Sequence, residues 1–229
     1  MKVLVTGGKG FIGSWLVPGL TEKGHDIDTY DAVDSRDIFN TGELVAAMKG
    51  HEVVVHLVAH PTYKPDIAPA EYVRLNIVGV AKIVEAMKAA KVKNLVYVSS
   101  GAVYGFGPGR PPGGWVIPPI SEKQTQTEVQ WGLLDIYSAT KLACAAWLPL
   151  IMGYGWTITN LRFNCLEPQH HGAMERGVHW GWWCSQAMAI NATSAALCRT
   201  TTGFEIVNVG EENPNMDYTM LDKLMNGEL

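Results

Sequence analysis

The chain opens on a short β-branched apolar run, KVLVT (Lys2 to Thr6), that stops at glycines. From Phe11 to Lys23 it then carries apolar residues at helical spacing, despite Pro18. Strand, glycine turn and helix in that order bring backbone N–H groups and a helix N-terminus to face one point, which suits a pyrophosphate. In a chain with 24 glycines the spacing of Gly7, Gly10 and Gly13 means little alone. Its place between strand and helix is what gives it weight. Asp31 ends the next strand-like run, where a carboxylate can accept hydrogen bonds from both adenosine ribose hydroxyls and would repel a 2′-phosphate. The sequence therefore implies a dinucleotide site that takes NAD in preference to NADP.

The same alternation continues along the chain. Strands are expected over His25 to Asp31, His51 to Ala59, Asn94 to Ser100, Trp156 to Phe163 and Phe204 to Gly210. Helices are expected over Gly42 to Lys49, Glu71 to Lys91, Tyr137 to Met152 and His179 to Ala196. Strands that are continuously apolar and separated by helices specify a parallel sheet covered on both faces. The fold class is α/β, a Rossmann-type doubly wound parallel sheet, with residues 1–164 as the dinucleotide-binding domain. Residues 165–229 form a small C-terminal substrate-binding part that returns one strand to the sheet. Between residues 105 and 130 the density of Gly and Pro points to an ordered surface loop or lid.

Composition excludes several classes. A formal charge of −4 over 229 residues gives no electrostatic call for nucleic acid or an anionic membrane. Apolar runs are interrupted well before the roughly 20 residues of a membrane span. Cys144, Cys165, Cys184 and Cys198 are widely spaced, with no C-x-x-C pair, and no signal peptide precedes the first strand, so reduced thiols in a cytoplasmic protein are expected.

In such sheets ligands bind outside the carboxyl ends of the strands. There the motif YSATK supplies Tyr137 and Lys141, four residues apart on one helix face, where an ammonium can lower the phenol's pKa and bind ribose hydroxyls. Ser99 and Ser100 end the strand NLVYVSS at the same edge, where a hydroxyl can orient a substrate oxygen beside the tyrosine.

With TGGKGFIG, Asp31, VVVHLVAH, the Asn of LNIVG, LVYVSSGAVYG, YSATK and IVNVG in this order, the chain resembles an extended short-chain dehydrogenase/reductase of the NAD-dependent epimerase/dehydratase family. The resemblance implies a catalytic Ser100, Tyr137 and Lys141, with Asn76 as a supporting polar residue. It also implies cofactor contacts from Phe11 and Ile12 in the glycine loop, from Asp37 and Ile38 to the adenine, and from Leu57, Ala59 and Ser99 along the dinucleotide. A homodimer packed through the helices near Val80 to Ala90 and Tyr137 to Leu150 is implied as well.

Two departures from the family bear on the substrate. Asp31 and Asp37 are too close for the further short strand that relatives carry there, so the sheet edge beyond the second strand should be reduced. The stretch after Cys165 is abbreviated relative to a nucleotide-sugar cap. That lean form resembles the uronate dehydrogenase branch, whose sugar-acid site maps onto Leu161, Arg162, Glu167, Pro168 and Arg176. Asn164 instead matches the asparagine of sugar epimerases. Ser100, Gly101 and Ala102 stand where dehydratases of the family carry Thr-Asp-Glu, which argues against dehydration.

His170, His171 and His179 lack a completing carboxylate or thiolate, and no metal is expected. Trp180, Trp182 and Trp183 read as packing, with stacking on a sugar as the alternative. His56 and His60 read as buried, hydrogen-bonded imidazoles. The expected function is an NAD-dependent oxidoreductase drawing hydride from a carbinol carbon of a sugar or sugar acid, favoured as a sugar or uronate dehydrogenase. An NAD-dependent nucleotide-sugar epimerase is the alternative, and a non-catalytic NAD(H) sensor a further one.

Overall fold

In the computed structural model, the structure describes residues 1–61, 64, 66–104, 136–151, 155–164, 166, 183–211 and 217–229. Six strands form one parallel sheet: β1 (Lys2–Thr6), β2 (Asp26–Tyr30), β3 (Val53–His56), β4 (Asn94–Ser100), β5 (Thr157–Phe163) and β6 (Gly203–Val209). Their order is β2-β1-β3-β4-β5-β6, so β2 is an edge strand and the order reverses direction between β1 and β3. That reversal is the switch point at which a crevice opens beyond the carboxyl ends.

The helices are α1 (Gly13–Glu22), α2 (Thr41–Met48), α3 (Pro69–Val73), α4 (Gly79–Ala90), α5 (Ile136–Ile151), α6 (Gln186–Leu197) and α7 (Thr219–Met225). Strand alternation divides the core in two. Val3, Val5, Val96 and Val98 face α1, α6 and α7, while Leu4, Val54, Leu95 and Tyr97 face α2, α4 and α5. Each fully buried aliphatic side chain contributes about 1.5–3 kcal/mol, and a strand apolar on both faces collects that from two sides. Ala189, Ala192, Val207 and Leu221 join the same core as β1, so the C-terminal elements are built into the sheet.

Several boundaries differ from the sequence expectation. Leu57–Ala59 do not extend β3: after Leu57 N–H donates to Thr6 O (2.9 Å) the chain leaves the sheet to pass over Gly7. The helix expected over Glu71 to Lys91 begins at Pro69, an N1 position that needs no N–H, and carries a π turn at Arg74–Val78. The last long helix starts at Gln186, where the Ser185 hydroxyl caps Met188 N–H at 3.0 Å. The short α7 was not anticipated; seven residues hold too few periods to read. The loop 105–130, Cys165, Glu167, Pro168, His170, His171, Arg176, His179, Trp180 and Trp182 lie outside the described residues.

Candidate active site

The glycine loop follows β1 directly. Gly7 has φ +78°, and a Cβ on it would meet Val58 N at 3.0 Å, so the loop and the chain after β3 touch backbone to backbone. Gly13 begins α1, and a Cβ there would lie 2.3 Å from Gly8 O. Around Gly10 the only close neighbour is Gly7 O, at 3.3 Å from the built Cβ. Phe11 is exposed, while Ile12 packs against the core.

Asp31, just past β2, accepts hydrogen bonds from Lys9 N–H (2.9 Å) and Val33 N–H (3.0 Å), which lock the acid to the glycine loop. A carboxylate has about four acceptor positions, so capacity remains for ribose hydroxyls. Lys9 and Asp34 pair across the same spot. A close-packed glycine turn at a helix start with a fixed acid beside it fits the pyrophosphate and ribose of a dinucleotide. Beyond it, Asp37 is exposed and accepts from Phe39 N–H, whereas the Ile38 side chain is turned into the core. Leu57 and Ala59 are half-buried on the chain leaving β3.

On the other side of the crevice, β4 brings Ser99 and Ser100 to the carboxyl edge. Ser99 is buried with no hydrogen-bond partner for its hydroxyl among the described residues, and Ser100 Oγ accepts from Ala102 N–H at 3.1 Å. Helix α5 carries Tyr137, half-buried, and Lys141, buried one turn later. Lys141 Nζ donates to Val98 O at 2.8 Å, so the helix is anchored to the strand that holds Ser100. Burial lowers the Lys141 pKa to about 8, with the Cys144 thiol opposing that effect.

Asn76 sits in the π turn, where the widened helix turns its amide inward. The amide accepts from His60 N–H (2.8 Å) and donates to His60 O (3.3 Å) and Thr140 Oγ1 (3.0 Å). It therefore joins the chain after β3 to the residue preceding Lys141, a bracing position. Asn164 similarly donates to the Tyr218 hydroxyl at 3.0 Å, close to Gly101 and Gly210.

Sequence reading did not single out the support beneath Ser100. The turn Gly101–Tyr104 follows it, and the Tyr104 hydroxyl accepts from Arg162 (2.6 Å) and donates to Asn208 Oδ1 (2.9 Å), all three residues buried. Ser99, Arg162 and Asn208 share one register row of the sheet, a relation that only pairing reveals. His56 is sealed from solvent with Nδ1 against Thr6 Oγ1 at 2.8 Å. The His60 ring tilts on Tyr72 at 5.2 Å. Trp183 is half-buried, and its carbonyl accepts from Glu211 N–H. Among the described residues no three His, Cys, Asp or Glu side chains come together as a metal site, and no helix is long and apolar enough to cross a membrane.

Fold and crevice define a Rossmann-type, dinucleotide-binding α/β protein. The sequence model of the NAD dependent epimerase/dehydratase family matches residues 3–188, and the chain belongs to that family, whose members are NAD-dependent. UDP-glucose 4-epimerase of Corynebacterium glutamicum is 32% identical over 181 residues, covering 71% of this chain and 50% of that protein. The UDP-glucose 4-epimerase of Klebsiella pneumoniae is 33% identical over 132 residues, 47% of this chain and 95% of that protein. This chain thus spans about half of the Corynebacterium relative. Among solved structures, uronate dehydrogenase from Agrobacterium tumefaciens superposes with TM-score 0.74 at 16% identity, over 98% of this chain and 83% of that one. UDP-N-acetylglucosamine 4-epimerase from Bacillus cereus gives 0.70 at 21%, over 99% and 82%. At these identities the likeness is one of fold.

Proposed function

We propose that the protein is an NAD-dependent oxidoreductase acting on a carbinol carbon of a sugar or sugar acid, working as a sugar or uronate dehydrogenase. The observation that carries this reading is that Lys141, buried on α5 and bonded to Val98 O, sits one helical turn from Tyr137 and beside the strand that presents Ser100. When bound, NAD supplies the hydride acceptor. Asp31 would hold the adenosine ribose, and the start of α1, with the N–H groups of Phe11, Ile12 and Gly13, would hold the pyrophosphate. Tyr137 takes the proton of the substrate hydroxyl, because the neighbouring Lys141 charge favours the phenolate. Ser100 orients that hydroxyl, and Asn76 keeps α5 in register with the chain after β3. Arg176 and Asn164 are proposed substrate contacts, although the Asn164 bond to Tyr218 favours bracing.

A second reading has its own support: the relatives above 30% identity named here are UDP-glucose 4-epimerases. Epimerisation uses the same proton and hydride removal, then returns hydride to the opposite face of the carbonyl carbon and a proton to its oxygen. The proposal includes a cytoplasmic homodimer packed through α4 and α5, supported by free buried thiols at Cys144 and Cys184 and by Leu150, 82% exposed on α5.

The test is absorbance at about 340 nm, the band of reduced nicotinamide, while protein and NAD meet uronic acids, neutral sugars and nucleotide sugars. A substrate-dependent rise that Tyr137→Phe abolishes without loss of NAD binding supports the dehydrogenase. No rise, with a second epimer appearing by NMR, supports the epimerase. Turnover that survives Tyr137→Phe refutes the mechanism.

A further inference from the structure

Lys141 is a buried cation with no carboxylate beside it among the described residues. It is 4% exposed, its one hydrogen bond goes to Val98 O, and among the described residues no carboxylate lies within ion-pair distance of it. An ammonium has three N–H donors, and a buried charge needs compensation from somewhere. The neighbour that can supply it is aromatic: Nζ lies 4.9 Å from the centroid of the Tyr97 ring.

Tyr97 is fully buried and has a second ring against it. The His56 ring stacks on it at 6.2 Å with planes 15° apart, and His56 is pinned by Thr6 at 2.8 Å. Thr6, His56 and Tyr97 occupy one register row across β1, β3 and β4, on the face that α5 covers. Lys141 of α5 lies over the Tyr97 position of that row.

We propose that Tyr97 is a positioning residue of the active site: its ring face, stacked with His56, stabilises the Lys141 ammonium and thereby sets the basicity of Tyr137. This rests on the function proposed for Tyr137 and Lys141. Among the described residues, the ionisable groups around Lys141 are His56 of β3, Tyr97 of β4, and Tyr137 and Cys144 of α5. Burial keeps the first neutral by holding the His56 pKa near 3, and raises the Tyr97 phenol and the Cys144 thiol above their usual values. No competing cation therefore opposes the ring, and a desolvated ring face has its full effect, because its quadrupole is unscreened. Removing it should favour the neutral amine and raise the pKa of the Tyr137 phenol.

The experiment is an NMR titration of the ¹⁵N-lysine-labelled full chain without cofactor, with the Lys141 Nζ signal assigned by its loss in Lys141→Met. Tyr97→Phe, which keeps the ring, should titrate like the wild type. Tyr97→Leu should lower the midpoint by about half to one pH unit, the size a desolvated cation–π contact supports. Phenylalanines of increasing fluorination at position 97 conserve the shape while draining the ring face, so they decide the matter if Tyr97→Leu does not fold. Their midpoints should fall stepwise. A merely structural Tyr97 predicts no movement, and unchanged midpoints in the Leu or fluorinated variants overturn the proposal. Because the titration needs no substrate, shifted midpoints in a protein that turns nothing over would refute the proposed function and leave this inference standing. Turnover with unmoved midpoints would do the reverse.

Discussion

Mild acid should destabilise this protein chiefly through His56. The ring is fully buried at the end of β3, its Nδ1 is committed to Thr6, its Nε2 has no partner among the described residues, and burial lowers its pKa from 6.5 to about 3, with Lys141 adding repulsion. The folded chain therefore refuses a proton that the unfolded chain accepts. A group with a depressed folded pKa contributes stability that is present above 6.5 and is lost as pH falls from there towards about 3. Between pH 7 and pH 5 the unfolded imidazole takes up most of one proton, and at about 1.4 kcal/mol per pH unit the loss is about 2 kcal/mol. The assay is urea unfolding at several pH values for the wild type and for His56→Asn, which keeps a polar atom for Thr6. The variant should start less stable but lose about 2 kcal/mol less across the interval. His25, lowered by burial as well, is present in both proteins and cancels. Equal pH slopes in the two proteins would refute the reasoning.

Asp31→Ala should weaken NAD binding roughly 10- to 100-fold, the effect of losing hydrogen bonds to a charged acceptor, and narrow the preference over NADP; wild-type NADP affinity equal to that for NAD would remove the role given to Asp31. Gly13→Ala places a methyl 2.3 Å from Gly8 O, a backbone atom that cannot step aside. It should cost about 1–3 kcal/mol or more in thermal unfolding and abolish dinucleotide binding, whereas Gly42→Ala, with only Asn40 Oδ1 within reach at 3.7 Å, should do neither. A Gly13→Ala protein of normal stability and affinity would show that the loop has another geometry.

What was legible in the sequence is what short-range chemistry dictates. The stretches Val53–Val55 and Leu95–Val98 are continuously apolar because both faces of a parallel strand are covered, and β4 could be placed to the residue. The glycine loop was legible because Gly7 and Gly13 stand where a Cβ would run into backbone. Less was visible where registration matters. Tyr97 reads as one more core aromatic, Arg162 by resemblance as part of a sugar-acid site although it is buried against Tyr104, and His56 as an ordinary buried histidine, since nothing local says which residues lie opposite. The π turn at Asn76 looks like plain helix because its apolar period continues through it.

The sequence by itself determined the alternation of strands and helices, the acid and glycines suited to a dinucleotide, and the Tyr137–Lys141 pair, all of which depend on neighbours within a few residues. Only the tertiary structure decided which rows meet across the sheet. It set His56 against Tyr97 and Tyr97 against Lys141, bound Asn76 to the chain after β3, and put Arg162 and Asn208 beneath the turn that follows Ser100. The physical reason is that strand order and register are fixed by burial summed over the whole core, a quantity that no stretch of sequence contains.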